Sequence, residues 1–478
     1  MSGAQLAQAF RLVQGGDAAA ALKAAAAIVA AEPANARGHL VAGIALRELA
    51  DWEGSRRALE RSAQLAPGDY APPYELAVLH ERLGNAREAA GCYESCIALR
   101  PQFVPALLGL AHVLGNLGRA PEARARYEQV LAADPRNVDA LRGLGQLCVR
   151  HADYAQAARL FAAARALAPG DPDLPLYVAQ VLLLLGRWEE AWPHYARRDS
   201  RLEFEALAAA AGSPYRPTAL EALRGARVAI VGEQGLGDIL FFLRFAPALR
   251  GVARSVAFAG EARLHSILAR TGAFDALAER PAPGELAVLA ADLPALLGDS
   301  CEIFAPSLRA APLPARLEAW RRELEAAGPR PWIAVTWRAG TPASFSREAL
   351  SKSIDVSAVC GAVAPLGGTV FALQRAIAPG ELQRAGAALG RPVHDLSKAS
   401  EDPEDVLAVL SCLDRHIGVS STNMHLAALA GATADVLVPF PPEWRWRTEG
   451  DSPWFPGFRL LRQEPGGDWS RALAEIHT

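Results

Sequence analysis

The stretch Val228–Arg250, VAIVGEQGLGDILFFLRFAPALR, decides the fold of the C-terminal part of this 478-residue chain. A short apolar run meets a glycine-rich turn, and an amphipathic segment follows. That order reads as strand, turn and helix, a βα unit whose loop lies at the mouth of a ligand crevice. The turn Gly232-Glu233-Gln234-Gly235-Leu236-Gly237-Asp238 does not fit GxGxxG. Gly232 and Gly237 have P-loop spacing, but Asp238 and Ile239 replace the Lys and Ser/Thr that contact phosphate and metal. An acid at a helix start is favoured by the helix dipole and repels phosphate, so this half is expected to bind something other than a diphosphate. Gly235 and Gly237 allow close backbone approach to whatever occupies this loop.

The same pattern continues downstream. RSVAFAG and ELAVLAAD read as further strands, PLPARLEAWRRELEAAG as a helix, and PWIAVTWRAGT as a fresh first strand. GGTVFALQ, CLDRHIGVSS and ADVLVPFPP follow, each separated by a helix-length stretch. Apolar runs alternating with helices imply parallel sheets. Restarts at Arg227 and Trp332 imply two Rossmann-like halves with a cleft between them.

Upstream the chain repeats itself. Pro33, Pro67, Pro101, Pro135 and Pro169 fall 34 residues apart, and Ala21, Ser55, Ala89, Ala123, Ala157 and Ala191 keep the same period. Small residues recur at Ala9, Gly43, Ala77, Ala111, Gly145 and Ala179, and turn positions at Gly16, Ala50, Gly84, Gly118, Ala152 and Gly186. Small side chains let two helices cross closely, and proline ends the second helix. The pattern resembles the tetratricopeptide repeat, which implies an α-solenoid of six hairpins whose last unit, ending in the polar WPHYARRDS, caps the stack. The register of that repeat places Arg37, Leu40, Arg47, Tyr74, Glu81, His112, Asn116, Arg142 and Gln146 on the concave face, a mixture suited to a protein or peptide partner. The bland alternative is that these residues are only solvated. The same solenoid can also mediate self-association.

Composition excludes several classes. Net charge is −3 and half the residues are apolar, which offers nucleic acid no basic footprint. No apolar run approaches membrane-span length, and the N-terminus lacks a basic region followed by an apolar core. The six cysteines, at 92, 96, 148, 301, 360 and 412, form no CxxC pair and read as free thiols in a reducing cytoplasm.

Three segments, GEQGLGDILFFLRFAPAL, TNMHLAALAG and PPEWRWRTEGDSPWFPGFRLLRQ, resemble bacterial tetratricopeptide proteins with a C-terminal heptosyltransferase-like glycosyltransferase domain. In architecture the chain is also similar to the O-GlcNAc transferases. The resemblance implies a two-lobed α/β GT-B fold after the solenoid. The expected boundaries are 1–202 for the solenoid, 203–223 for a linker and 224–312 for the acceptor-side lobe. A connecting helix at 313–330 and a nucleotide-sugar lobe at 331–478 complete the chain.

The resemblance implies some site roles, and position and chemistry suggest the others. Asp238 matches the acid that takes the acceptor's proton during inverting sugar transfer; the alternative is a helix N-cap. Lys352 lies where relatives place a phosphate-contacting cation, and Arg338 is near it in sequence; together they would neutralise the leaving diphosphate. Gln374, ending the strand TVFALQ, is placed to reach the nucleotide. Ser421 and Thr422 start the helix carrying His425, a suitable cradle for the diphosphate, although His425 also fits as a packed helix residue. Relatives carry an Asp five residues before that His, where this chain has Ser420, which leaves donor identity and activity open. Trp444 is the candidate stacking residue among Trp444, Trp446 and Trp454, which otherwise pack the lobes together. No metal site and no cofactor emerge, the sole DxD-spaced pair being Asp171 and Asp173 in the repeats.

The leading expectation is a metal-independent glycosyltransferase moving a sugar from a nucleotide-sugar donor to a protein docked by the repeats, with flagellin or another surface protein as the acceptor suggested by relatives. The alternative is a catalytically silent scaffold that keeps the fold. A transferase acting on lipid or polysaccharide ranks last, since no basic amphipathic helix supports membrane attachment.

Overall fold

The computed structural model describes residues 3–210, 219–298, 304–339 and 352–477. Two compact units divide the chain, Met1–Leu174 and Pro175–Thr478.

The first unit is built from antiparallel helix pairs: α1 (Gly3–Gln14) with α2 (Ala18–Ala31), α3 (Ala36–Glu48) with α4 (Trp52–Leu65), and α5 (Ala71–Arg82) with α6 (Ala86–Leu99). Two more pairs follow, α7 (Val104–Asn116) with α8 (Ala120–Ala133) and α9 (Val138–Arg150) with α10 (Tyr154–Leu167). The repeated positions account for this geometry. Ala21, Ser55, Ala89, Ala123 and Ala157 are fully buried at the helix crossings. The turn positions Gly16, Ala50, Gly84, Gly118 and Ala152 all adopt positive φ, from 59° to 80°, so the backbone demands the left-handed region even where alanine must adopt it. Asp17, Asn35, Asp51, Asn137 and Asp153 cap the following helices by accepting backbone N–H bonds.

The sixth pair, α11 (Leu174–Leu184) and α12 (Trp188–Tyr195), keeps the register, with Gly186 at φ 73° and Ala179 and Ala191 fully buried. It nevertheless falls in the second unit. Its end is not a solvated polar cap. Arg198 is buried and ion-paired with Glu233 and with Asp292, the latter at 2.6 Å. The segment expected to be a linker begins as a helix, α13 (Asp199–Ala210), and residues 211–218 lie outside the described residues.

The rest of the second unit contains two parallel sheets. The first lobe runs β1 (Arg227–Val231), α14 (Leu236–Phe242), α15 (Ala246–Leu249), β2 (Ser255–Ala259), α16 (His265–Ala269), β3 (Ala276–Ala278), β4 (Leu286–Leu289) and α17 (Leu293–Leu297). Its strand order is β3-β2-β1-β4. Helix α18 (Pro314–Ala327) leads to the second lobe. There β5 (Trp332–Thr336), α19 (Val356–Val363), β6 (Thr369–Ala372), α20 (Glu381–Leu389), β7 (Val393–Asp395) and α21 (Pro403–Cys412) are followed by β8 (Arg415–Val419), α22 (Thr422–Ala430), β9 (Asp435–Val438), β10 (Arg459–Arg462) and α23 (Ser470–Ala474). The order is β10-β9-β8-β5-β6-β7, the doubly wound arrangement, over a core that includes Ile333, Val335, Val370, Ile417 and Leu437. β1 and β5 begin at the two restart residues. The strands not read from the sequence, β3, β7 and β10, are all at sheet edges and only three or four residues long.

Candidate functional site

In each sheet the strand order reverses beside the first strand, between β1 and β4 and between β5 and β8. Crevices form at such points, beyond the carboxyl ends of the strands. Helices α14 and α22, which follow β1 and β8 at these two points, pack against each other. A Cβ on Gly237 would lie 3.0 Å from His425 Cδ2 and 3.6 Å from the Thr422 backbone, so glycine is what lets these helix starts approach so closely.

Gly235, not Asp238, is the N-cap of α14, and Asp238 lies in its first turn. Its Oδ1 accepts a 2.5 Å hydrogen bond from Arg445 Nη2, across the two lobes. Asp238 remains a third exposed, whereas the Arg445 side chain is 9% exposed. Burial works against the charge on Arg445, but Asp238 and Glu443 outweigh it and keep the guanidinium more firmly protonated than usual. Arg445 also stacks over Phe241, 4.6 Å from the ring centroid.

Lys352 reaches this place because its segment returns antiparallel to the residues just after β5, with Arg338 bridged to Ser353, Ala339 N–H donating to Lys352 O and Ile354 N–H to Trp337 O. Its Nζ is ion-paired with Glu443. Ser420 Oγ donates to the other Glu443 oxygen at 2.9 Å, and Arg445 Nη1 lies 4.0 Å from that oxygen. Burial opposes ionisation of Glu443, but Lys352 and Arg445 overcome it and hold the carboxyl below the ordinary range. Glu443 therefore supplies a carboxylate beside Ser420, where relatives were expected to carry an Asp.

Ser421 is the N-cap of α22, yet its side chain makes no capping bond, and its buried Oγ has no hydrogen-bond partner among the described residues. Thr422 begins the helix, half-buried beside it. His425 is buried against Gly237 and between the Phe241 and Phe455 rings. Burial, reinforced by Arg445, Arg244 and Lys352, pushes its pKa well down, so the ring is neutral at neutral pH.

Other expectations need correction. Arg338 is not a free cation for a diphosphate: it forks onto Glu381 at 2.7 and 3.2 Å and donates to Ala376 O, tying β5 to α20. Gln374 is 1% exposed, and all its capacity goes to backbone: it accepts from the N–H groups of Trp337 and Arg338 and donates to Arg338 O and Arg375 O. It joins strand tips rather than facing a nucleotide. Trp444 is not an open stacking wall but is buried among Trp188, Trp192, Phe241 and Trp454, with ring centroids 5.2–6.2 Å apart. On the repeats, Leu40 lies in the core instead of the concave surface. Tyr74 packs on Tyr93 and Phe103, Arg142 is paired with Asp139 and Asp171, and Arg37 is exposed. Exposed His112 and Asn116 share a 3.0 Å hydrogen bond.

Glu443 and Arg445 have a partial signal in the sequence, as charged residues set among tryptophans and prolines in PPEWRW. Arg198, Glu233 and Asp292 carried no sequence signal, since their pairing spans up to 94 residues. Tyr195 belongs to the same surroundings: it lies by Gln234, 3.5 Å from its side-chain oxygen, and Gln234 itself is strained at φ 66°.

Residues 108–172 match the tetratricopeptide-repeat family. The repeats thus form a tetratricopeptide-type helical solenoid, a class of scaffold for protein–protein interaction. Among curated proteins the chain is similar to Protein FlbA of Caulobacter vibrioides, 28% identical over 343 residues, which cover 65% of this chain and 56% of that protein. The chain thus spans little more than half of that relative. Solved structures with likeness include a tetratricopeptide repeat protein from Parabacteroides merdae, 17% identical with a TM-score of 0.36, covering 44% of this chain and 86% of that one. Another is MamA from Desulfovibrio magneticus, 19% identical with a TM-score of 0.33, covering 36% and 96%. A third is PilW, a type IV pilus biogenesis factor, at 18% and 0.37, covering 45% and 94%. Among the described residues no helix is long and apolar enough to cross a membrane.

Proposed function

We propose that the chain is a glycosyltransferase of the GT-B class whose repeats dock a protein acceptor. The observation that carries this reading is the Asp238–Arg445 pair at 2.5 Å, which joins the segments that follow the strands of two parallel sheets. An acceptor hydroxyl attacks the anomeric carbon of a nucleotide-sugar, the bond from that carbon to the phosphate oxygen breaks, and configuration inverts. Asp238, with one oxygen outside the Arg445 contact, takes the hydroxyl proton. The departing diphosphate is received without a metal by Lys352 and by the start of α22, where Ser421 and Thr422 present hydroxyls and backbone N–H groups.

A specific observation favours a second reading, a binding scaffold with no turnover. Lys352 is already neutralised by Glu443 and Arg338 by Glu381, so the two cations expected to meet a diphosphate are both engaged.

Two measurements separate the readings. In a thermal-shift panel of nucleotides and nucleotide-sugars, stabilisation by one of them that is lost in Lys352→Ala supports the enzyme; no response to any supports the scaffold. Mass spectrometry of proteins retained by the intact chain and by Asp238→Asn then tests transfer. A sugar present on a retained partner only with the intact chain supports Asp238 as the base. Partners retained by both and modified by neither defeat the transferase.

A further inference from the structure

Glu443 stands on the loop after β9, and both its oxygens are used, one by Lys352 and the other by Ser420. Further donors stand on residues close in sequence to Glu443 and to Ser420. Arg445 Nη1 is 4.0 Å away, beyond hydrogen-bond reach. Arg445 Nε and Ser421 Oγ are buried with no partner among the described residues. Buried orphan donors are uncommon and costly, and each requires an explanation. A phosphoryl group has three oxygens where a carboxylate has two, and it suits an ammonium, a guanidinium and hydroxyls together.

We propose that Glu443 is an internal occupant of a phosphate subsite: in the unliganded chain its carboxylate fills the position, between Lys352, Ser420 and Arg445, that a phosphoryl group of the donor takes. This rests on the reading of the second unit as a nucleotide-sugar enzyme. The ligand displaces Glu443 from Lys352 and Ser420, and its extra oxygen meets Arg445 and Ser421. The glutamate side chain has the rotatable bonds to swing away while the loop stays. The chain therefore opposes weak anions at this point and admits only a ligand with enough other contacts to expel the carboxylate. Ser420 is a fitting neighbour, because a hydroxyl serves carboxylate and phosphate alike whereas an Asp there would repel both.

The test is isothermal titration of the full chain with inorganic pyrophosphate and with a panel of nucleoside diphosphates. Glu443→Gln keeps the shape and removes the charge, so it is expected to bind pyrophosphate about tenfold more tightly than the unsubstituted chain. Adding Lys352→Met to that variant is expected to abolish the gain. If Glu443→Gln binds pyrophosphate equally or less tightly, the proposal falls. Should that variant melt too early to titrate, Glu443→Asp decides: withdrawing the carboxylate by one methylene gives a smaller gain if the proposal holds and none if it fails. A gain for pyrophosphate in a chain that transfers no sugar leaves the subsite standing and removes the enzyme. Sugar transfer with no gain in Glu443→Gln removes the subsite and leaves the enzyme.

Discussion

Asp238 of the first lobe and Arg445 of the second share a hydrogen-bonded ion pair at 2.5 Å, and the two members are unequally buried. The aspartate can rehydrate if its partner is lost. The arginine cannot, and among the described residues the carboxylate left in a pair with it would be Glu443 at 4.0 Å. Removing the acid should therefore cost more than removing the base. Asp238→Ala is expected to lower stability by about 2 kcal/mol and Arg445→Met by about 1 kcal/mol. Urea unfolding of both variants checks the order, and a reversed order would show that the packing of Arg445 on Phe241 outweighs the ion pair.

Arg198 holds two buried carboxylates, Glu233 and Asp292, at the ends of β1 and β4. Arg201 adds a 3.3 Å contact to Asp292. Arg198→Met leaves Glu233 without this partner inside the protein, and a loss of about 3–5 kcal/mol is expected. The double variant with Glu233→Gln should recover part of that loss. Thermal melts that show no recovery would place the energy of Arg198 in its packing, not its charge.

Close helix crossings in the repeats make a further prediction. A Cβ on Gly145 would lie 2.5 Å from Phe161 Cε1, so Gly145→Ala should destabilise the chain by about 1–3 kcal/mol. Gly91 lies within α6 with nothing near its added Cβ, and Gly91→Ala should stabilise by about 0.5–1 kcal/mol. Chemical denaturation of the pair gives opposite signs if crossing geometry governs, and equal signs would contradict it.

Acid should weaken the second lobe through His416. This residue is buried on β8, hydrogen-bonded to Thr336 Oγ1 at 3.2 Å, and burial pushes its pKa down to about 4 from 6.5. The unfolded chain thus binds a proton between about pH 6.5 and pH 4 that the folded chain does not, and stability falls as pH drops through that window. The slope from one such group approaches about 1.4 kcal/mol per pH unit. His425, also shifted down, adds to it in the same direction. Unfolding of His416→Gln measured from pH 7 to pH 4 should show a shallower acid limb than the unsubstituted chain; an identical limb would mean that His416 does not titrate on unfolding.

Trp444 illustrates the limit of reading a site from residue type. In sequence it is an aromatic in a proline-rich loop, equally suited to stacking on a base or to packing. Only the arrival of Trp188, Trp192 and Phe241 from distant segments makes it a core residue. Arg338 and Lys352 follow the same logic. Their charge is evident from the sequence, but their availability depends on Glu381 and Glu443.

The sequence by itself determined the 34-residue hairpin register, down to the positive φ of Ala50 and Ala152, and the starts of both sheets at Arg227 and Trp332. Those features are local: a period, a turn and an apolar run record which side of a helix or strand is buried and where the backbone must bend. Tertiary structure alone decided which charges meet. Asp238 and Arg445 are 207 residues apart, and nothing in the neighbourhood of either names the other. It also decided that the sixth hairpin belongs with the sheets, because the buried partners of Arg198 come from the strand ends of the first lobe. Ion pairing acts through space at a few ångströms, so it is settled only when folding brings remote segments into contact.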